Sequence, residues 1–169
     1  MRQSRLKVSS SQGDAVYHCV SRVVDRQFLF GPEEKERFVA LLRRHARFCQ
    51  VEVLTYCVMS NHFHLLVSVP QRPEAMPGDE ELLAHLEACG VSALRLADLR
   101  QKLAHYAQIG AVKAAEAVRQ SYWNRCWDLS FFMKGLKQEF TQWYNRKHHR
   151  KTSLTRPMNN VAQNQMTKG

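Results

Sequence analysis

The stretch that decides the fold is Met59-Ser60-Asn61-His62-Phe63-His64-Leu65-Leu66-Val67-Ser68-Val69. Its residues alternate with a period of two, which is typical of a strand with one buried face. On such a strand His62 and His64 project side by side, while the alternate residues point into a core. These core positions are Phe63, Leu65, Val67 and Val69. Two neighbouring imidazoles can bind a metal ion, although two solvent-facing strand residues would give the same pattern.

The sequence around this strand predicts a single α+β domain. Residues 14–23 are rich in Val and Tyr and predict a first strand, while residues 33–48 carry apolar side chains at helical spacing. Residues 51–59 predict a second strand, which the Ser60-Asn61 turn joins to the histidine strand as an antiparallel hairpin. Strand, helix, hairpin and a further helix predict a ferredoxin-like, RRM-like antiparallel sheet with helices on one face.

A helical insertion and two terminal segments complete the predicted organisation. Apolar residues recur at helical spacing after the hairpin, which predicts a helical insertion over about 76–127. Asp128 is a suitable N-cap for a last helix ending near residue 147. We expect one domain over 14–154, a flexible basic N-terminus over 1–13 and a polar, disordered tail over 155–169.

Four blocks of the sequence, taken in order, carry a resemblance to a known family. The first block is residues 17–22, which read Tyr-His-Cys-Val-Ser-Arg, and the second is Phe-Leu-Phe at 28–30 with the acidic helix after it. The third block, residues 56–67, reads Tyr-Cys-Val-Met-Ser-Asn-His-Phe-His-Leu-Leu-Val. The fourth block lies within 130–147. In this order the four blocks resemble the single-tyrosine transposases of the HUH endonuclease superfamily, and among these the REP-associated tyrosine transposases most of all.

The resemblance implies a metal-dependent nuclease and strand transferase that acts on single-stranded or hairpin DNA. In this family a tyrosine hydroxyl attacks a DNA phosphate and forms a covalent phosphotyrosine link. His62 and His64 match the metal ligands of the family, and the implied cofactor is a divalent metal, Mg²⁺ or Mn²⁺. Such an ion offsets the charge that develops on phosphate oxygens when a weak phenol nucleophile attacks. The histidine pair itself would suit Zn²⁺ or Ni²⁺ at least as well.

The tyrosines of this chain depart from the family pattern. The family nucleophile lies on a late helix and is followed four residues later by Gln or Asn, which is true of none of the five tyrosines here. Tyr144 is the weak stand-in for the catalytic residue, because it alone lies near the end of the family-like region. Its position four residues after Phe140, on an apolar stripe, predicts a structural role instead. We therefore expect a truncated transposase without its nucleophile, whose sheet has one edge open or covered by the tail.

The composition predicts a polyanionic partner. The formal net charge is +10 with a pI near 9.7, and neutralisation of phosphates by such a protein drives binding to nucleic acid. We expect no membrane partner and a cytoplasmic location, because no apolar run approaches the roughly 20 residues of a spanning helix and no signal peptide is recognisable. The five cysteines lack metal-binding spacing and predict reduced, mostly buried thiols. A homodimer is left open.

Two groups of side chains are candidates for DNA contact. The first group consists of basic residues on the last helix and just after it: Lys134, Lys137, Arg146, Lys147, Arg150 and Lys151. Those near the helix end could equally interact with the helix dipole in solvent. The second group is aromatic and could stack on unpaired bases or fill a corner between helices: Tyr122, Trp123 and Trp127.

Two other functions are compatible with parts of the pattern. A noncatalytic nucleic-acid-binding module on a ferredoxin-like sheet would share the topology and the basic charge. A metal-dependent hydrolase unrelated to transposition would use the histidine pair, but the nearest acidic cluster, residues 79–81, lies in the helical insertion. If the nucleophile is absent, the transposase and the binding module become the same hypothesis, because a truncated transposase could still bind metal and hairpin DNA.

Overall fold

The computed structural model describes residues 14–23, 29–149 and the backbone of 160–163. The strands in this part of the chain are β1 (Ala15–Arg22), β2 (Glu52–Val58), β3 (His62–Val69) and β4 (Asn160–Gln163). The helices are α1 (Pro32–Cys49), α2 (Asp79–Ala88), α3 (Ala93–Gln108), α4 (Val112–Trp123) and α5 (Leu129–Lys147). The predicted α+β class is confirmed, with the hairpin and the helical insertion in the expected places.

All four strands belong to one antiparallel sheet in the order β2-β3-β1-β4. The histidine strand β3 is therefore an inner strand, with β2 on one side and β1 on the other. In the register of β1 and β3, Val20 lies opposite His64. A shift of register between Val53 and Thr55 marks an irregularity in the edge strand β2, of the kind that a β-bulge produces.

Strand β4 lies in the stretch for which the sequence predicted a disordered tail. Its backbone pairs with residues 17–20 on the outer edge of β1. An open strand edge leaves N–H and C=O groups without partners, and β4 provides those partners. The disordered-tail prediction for 155–169 is therefore wrong at 160–163, and the sheet edge is covered by the tail. The rest of that tail and the predicted flexible segment 1–13 lie outside the described residues.

The main hydrophobic core lies between one face of the sheet and helices α1 and α5. Phe63, Leu65 and Val67 of β3 are at most 2% exposed, whereas the residues between them are partly exposed. Phe38 of α1 and Phe132 of α5 face them and are fully buried. Burial of each such side chain contributes about 1.5–3 kcal/mol. The alternation along β3 thus directs one set of side chains into the core and leaves the histidines on the other face.

Helices α2, α3 and α4 form the insertion and share a smaller core. Its buried leucines are Leu82, Leu83, Leu86, Leu96, Leu99 and Leu103. Phe48, near the end of α1, packs against both this cluster and the main core, so the insertion is attached to the sheet through α1. An ion pair between Arg119 Nη1 and Asp79 Oδ1, 2.6 Å apart, joins α4 to α2.

The helix ends follow local sequence signals. Asp128 accepts a hydrogen bond from the Phe131 N–H at 2.9 Å, which confirms it as the N-cap of α5. Helix α1 begins at Pro32 and carries two glutamates in its first turn, where acidic groups interact favourably with the helix dipole. Among the helices of the described ranges, none is both long enough and apolar enough to cross a membrane.

Candidate metal site and nucleic-acid surface

The side of the sheet opposite the core carries a group of polar residues, here called the histidine face. It consists of His18, Arg22, Cys57, His62 and His64. Arg22 lies opposite His62 in the pairing of β1 with β3, and Cys57 lies opposite His64 in the pairing of β2 with β3. Residues directly opposite each other in an antiparallel pair share a face. The rings of His62 and His64 are 5.2 Å apart between centroids, so the structure places them side by side as the sequence predicted.

His18 is the member of this group that the sequence reasoning did not select. Its Nε2 atom lies 3.0 Å from Nδ1 of His64, and the two rings stack with centroids 5.2 Å apart. His18 stands one residue from Tyr17 and Cys19, which point into the core, so strand alternation alone places it on the outer face. Its approach to His64 depends on the register of β1 against β3, which a single sequence does not show.

Hydrogen bonds orient both rings of the predicted metal pair. Asn61 Oδ1 lies 2.6 Å from His62 Nδ1 and can only accept, so that Nδ1 carries the proton and His62 Nε2 is left with its lone pair. Among the described residues no hydrogen bond engages Nε2 of His62 or Nε2 of His64. Each ring therefore presents one nitrogen that can bind a metal, while the other is held by a neighbour, as is usual for ligating histidines.

The protonation of His64 also favours metal binding. Partial burial of the ring is the main cause that lowers the pKa of His64 below the ordinary value for a histidine. Positive charge on neighbouring residues lowers this pKa further; these neighbours are His18, His62 and Arg22. A metal ion binds only the neutral imidazole, so His64 remains available as a ligand below the pH at which an ordinary histidine would be protonated.

The histidine face fits a metal through two donors and does not form a complete site by itself. Within 14–23 and 29–149, no group of three or more His, Cys, Asp or Glu side chains is arranged to hold a metal ion. The pair would therefore be completed by another donor, such as a phosphate oxygen or water. No carboxylate belongs to the face, and Cys57 beside His64 is a soft donor. This donor set is softer than the all-oxygen ligands that Mg²⁺ prefers.

Tyr144 lies on the other side of the sheet from the histidine face. It is 7% exposed, belongs to the main core and stacks on His148 with ring centroids 4.0 Å apart. Tyr17 is equally buried, and Tyr56 lies opposite the core residue Leu65 at the edge of the sheet. The other two tyrosines, Tyr106 and Tyr122, pack against the insertion core. All five tyrosines are in the described part of the chain, and none shares the face of the histidine pair.

The predicted basic residues occupy different environments along α5. Lys134 and Arg146 are exposed, and the Arg146 side chain donates from Nε to the Gln142 carbonyl at 3.3 Å. Lys137 is partly buried and lies beside the main core at a small cavity lined by Phe30 and Phe140. The last two residues of the predicted group, Arg150 and Lys151, lie outside the described residues.

Lys147 is engaged with the acidic first turn of α1. Its Nζ atom lies 2.6 Å from Glu33 Oε2 and 2.8 Å from Glu34 Oε1. The hydrogen bond to Glu33 is the main cause that raises the pKa of Lys147, and the hydrogen bond to Glu34 raises it further. In turn, the hydrogen bond from Lys147 is the main cause that lowers the pKa of Glu34. Because its charge is already paired, Lys147 is less available to a phosphate than the exposed Lys134.

Comparison with known proteins identifies the segment that carries the histidine face. The family model of IS200-like transposases matches residues 11–76. The match covers 66 of the 169 residues, and over these residues the chain is similar to the IS200-like transposases. The matched residues, here called the transposase-like segment, contain β1, α1, β2 and β3, and therefore every residue of the histidine face.

Similarity to individual transposases is weaker than the family match. Eight chains of solved structures match this protein. One is a crystal structure from Deinococcus radiodurans R1 described as a proposed transposase, which is 20% identical, covers 61% of this chain and 72% of that chain, and has a TM-score of 0.32. A similarity of this size adds nothing to the argument for the site. Comparison with curated proteins gave no match.

Proposed function

We propose that this protein binds single-stranded or hairpin DNA and holds a backbone phosphate at the histidine face through a divalent metal ion on His62 and His64. The observation that carries the proposal is the side-by-side placement of these two rings on an inner strand of the transposase-like segment. An inner strand is hydrogen-bonded along both edges, so the two rings stand on a rigid support. The net charge of +10 favours a phosphate-bearing partner.

The residues of the histidine face have distinct roles in this proposal. Asn61 holds His62 in the tautomer that leaves Nε2 free, and His18 orients His64 through the 3.0 Å contact between their rings. Arg22 stands opposite His62 and supplies a charged donor for a second phosphate oxygen. A bound metal ion would act as a Lewis acid on the phosphate oxygen that it contacts.

We propose further that the tyrosines of this chain do not form a covalent link to DNA in this fold. Tyr144 is buried on the core side of the sheet, and a phenol oxygen must reach the metal-bound phosphate to attack it. The protein is then a transposase-like binding protein, closer to a noncatalytic nucleic-acid module than to an active strand transferase. DNA contacts outside the histidine face would come from Lys134, Lys137 and Arg146, with Arg150 and Lys151 as candidates beyond the described residues.

The metal preference remains a proposal with two alternatives. Resemblance to the transposases favours Mg²⁺ or Mn²⁺. The imidazole pair and the adjoining Cys57 thiol favour Zn²⁺. Calorimetric titration of the protein with each ion separates these alternatives, because the Cys57→Ser variant weakens binding only of a softer ion.

A homodimer through the outer edge of β2 is a further part of this proposal. In the described sheet β2 is an edge strand, and three large apolar residues on or beside it are exposed: Leu54 at 46%, Tyr56 at 41% and Met59 at 45%. An apolar strand edge is suited to pairing with another strand. Light scattering would show a dimer that the Leu54→Lys variant converts to monomer. A monomeric wild-type protein would contradict this part alone.

The DNA-binding proposal is tested with a labelled hairpin that carries a single-stranded tail. Fluorescence anisotropy is measured with Mn²⁺ and with a chelator, at several salt concentrations. The His62→Ala/His64→Ala variant should bind in Mn²⁺ only as tightly as the wild type binds with the chelator. The exposed His105 of α3 gives a matched control, and His105→Ala should leave binding unchanged. Equal metal dependence in the double variant and the wild type would refute the role of the histidine pair.

The absence of tyrosine chemistry is tested separately. The hairpin is incubated with the protein and Mn²⁺, and the products are separated by denaturing electrophoresis. We expect no protein–DNA adduct. An adduct that disappears in the Tyr144→Phe variant would restore Tyr144 as the nucleophile.

A further inference from the structure

A cavity of about 410 Å³ lies where the helical insertion meets the end of α1, far along the chain from the histidine pair. Its walls come from the loop at 73–77, from α2 and from the turn that connects α4 to α5. Its volume is at the lower end of the range of about 300–1,000 Å³ that is typical of small-ligand pockets. No part of the proposed metal chemistry uses this cavity.

Aromatic rings form much of the cavity wall. Tyr122, Trp123 and Trp127 line it and are all partly exposed, and the rings of Trp123 and Trp127 are 4.6 Å apart between centroids. Rings that only filled a corner between helices would be closed off from solvent, whereas these border an open space. Flat, partly exposed aromatic surfaces of this kind stack on nucleic-acid bases without regard to sequence.

The backbone at the cavity is held in an unusual conformation. Trp127 has φ of 54°, in the left-handed region that larger residues rarely adopt. Its N–H donates to the Cys49 carbonyl at 2.7 Å, and the next residue, Asp128, caps α5, so the turn is anchored on both sides. Backbone strain that the surrounding structure maintains is concentrated at functional sites. Here the left-handed backbone conformation of Trp127 places its indole ring at the cavity wall.

One side of the cavity offers polar groups to the edge of a ring. His85 Nε2 donates to the Phe48 carbonyl at 3.1 Å, which leaves His85 Nδ1 as an acceptor. The amide of Gln50 is 3.4 Å from that Nδ1 atom, so it is only weakly engaged and has further donor and acceptor capacity. Both side chains line the cavity. An aromatic wall combined with donors and acceptors is the chemistry that recognises a nucleobase.

Two arginines add positive charge beside the aromatic wall. The guanidinium of Arg72 lies 5.0 Å from the Trp123 ring centre, and that of Arg125 lies 5.3 Å from the centre of Tyr122. Neither forms an ion pair with a carboxylate of the described residues. A cation that stacks on an aromatic ring keeps its charge available to an anion, such as the phosphate attached to a base.

We propose that this cavity receives an unpaired base of the DNA strand, with the Trp123 ring stacked on its face and Arg72 beside its phosphate. The Trp127 ring, inclined at 66° to that of Trp123, would then border the edge of the base. The proposal rests on the DNA-binding function proposed above and extends it to a second site on the insertion. It assigns the insertion a role in distinguishing single-stranded from paired DNA, because a base within a duplex is not available to enter the cavity.

The experiment compares two hairpins with equal numbers of phosphates, one with a single-stranded tail of normal nucleotides and one whose tail is abasic. We expect the wild-type protein to bind the normal tail about 5- to 150-fold more tightly, which corresponds to stacking of about 1–3 kcal/mol for one base. The Trp123→Leu variant should lose this preference, and Trp123→Phe should retain part of it. Arg72→Gln should weaken binding of both tails, whereas the exposed Arg100 of α3 gives a matched control, Arg100→Gln, without effect.

The possible outcomes separate this proposal from the one on which it rests. Equal binding of the normal and abasic tails by the wild-type protein would overturn the base pocket while leaving DNA binding intact. No binding of either hairpin would instead refute the DNA-binding function. The comparison of the two tails needs no variant, so it remains decisive even if Trp123→Leu fails to fold. Competition with free deoxyadenosine monophosphate distinguishes a pocket for a base within a strand from a pocket for a free nucleotide. An equimolar amount of the free nucleotide should displace the hairpin only if the pocket binds free nucleotides.

Discussion

Replacement of His18 by alanine tests how the histidine face works. In the wild type the His18 and His64 rings are 3.0 Å apart at the nitrogens and only partly buried. A neutral hydrogen bond contributes about 0.5–1.5 kcal/mol, and loss of an outer partner of a metal ligand typically costs 10- to 100-fold in affinity. Because the two rings are partly solvated, we expect His18→Ala to show a loss at the lower end of this 10- to 100-fold range. The affinity for Mn²⁺ or Zn²⁺ should fall by about tenfold, which corresponds to about 1.4 kcal/mol.

The measurement is calorimetric titration of the metal into the wild type, His18→Ala and His18→Gln. Glutamine can offer an amide oxygen near the position of the imidazole nitrogen, so His18→Gln should retain most of the affinity. A second readout needs no metal. Nuclear magnetic resonance titration of His64 should show a pKa nearer 6.5 in His18→Ala, because positive charge on His18 is one of the causes that lower it.

Two results would refute this reasoning. Unchanged or tighter metal binding in His18→Ala would mean that His18 competes with the metal for His64. A loss well beyond 100-fold, with His18→Gln equally impaired, would mean that His18 is a metal ligand itself. In the first case His18 has no supporting role, and in the second the metal site has three histidines.

Three other perturbations test the core, the protonation state and the basic helix. Phe38→Ala should lower the free energy of unfolding by about 3–5 kcal/mol in urea denaturation, because this fully buried ring contacts three other phenylalanines; a loss below 1 kcal/mol would contradict the packing. Stability should fall as the pH decreases through about 6.5, because His64 and His45 have lowered pKa values and the unfolded chain takes up protons first; denaturation at pH 7.5 and 5.5 measures this. Lys134→Gln should weaken DNA binding more than Lys147→Gln, because the second lysine is already paired; the reverse order in anisotropy would contradict that assignment.

The sequence by itself determined the parts of this protein that depend on neighbours along the chain. The alternation in residues 59–69 is a property of the extended backbone, so it predicts both the buried Phe63 and the shared face of His62 and His64. The N-cap Asp128 is equally local, because it bonds to an N–H only three residues away. The family resemblance lay in the same short segments, and the family match at residues 11–76 includes the histidine pair.

Only the tertiary structure decided the contacts between distant segments. His18 meets His64 because β1 and β3 pair in one register, and Lys147 loses its free charge because α5 packs against the start of α1. Strand β4 forms in a polar stretch with no strand pattern, because the edge of β1 supplies hydrogen-bonding partners. Each of these contacts joins residues at least 46 positions apart: His18 and His64 are 46 apart, Glu34 and Lys147 are 113 apart, and Tyr17 of β1 pairs with Gln163 of β4, 146 positions away. Periodicity reports which face a residue occupies, and packing decides which residue it meets there.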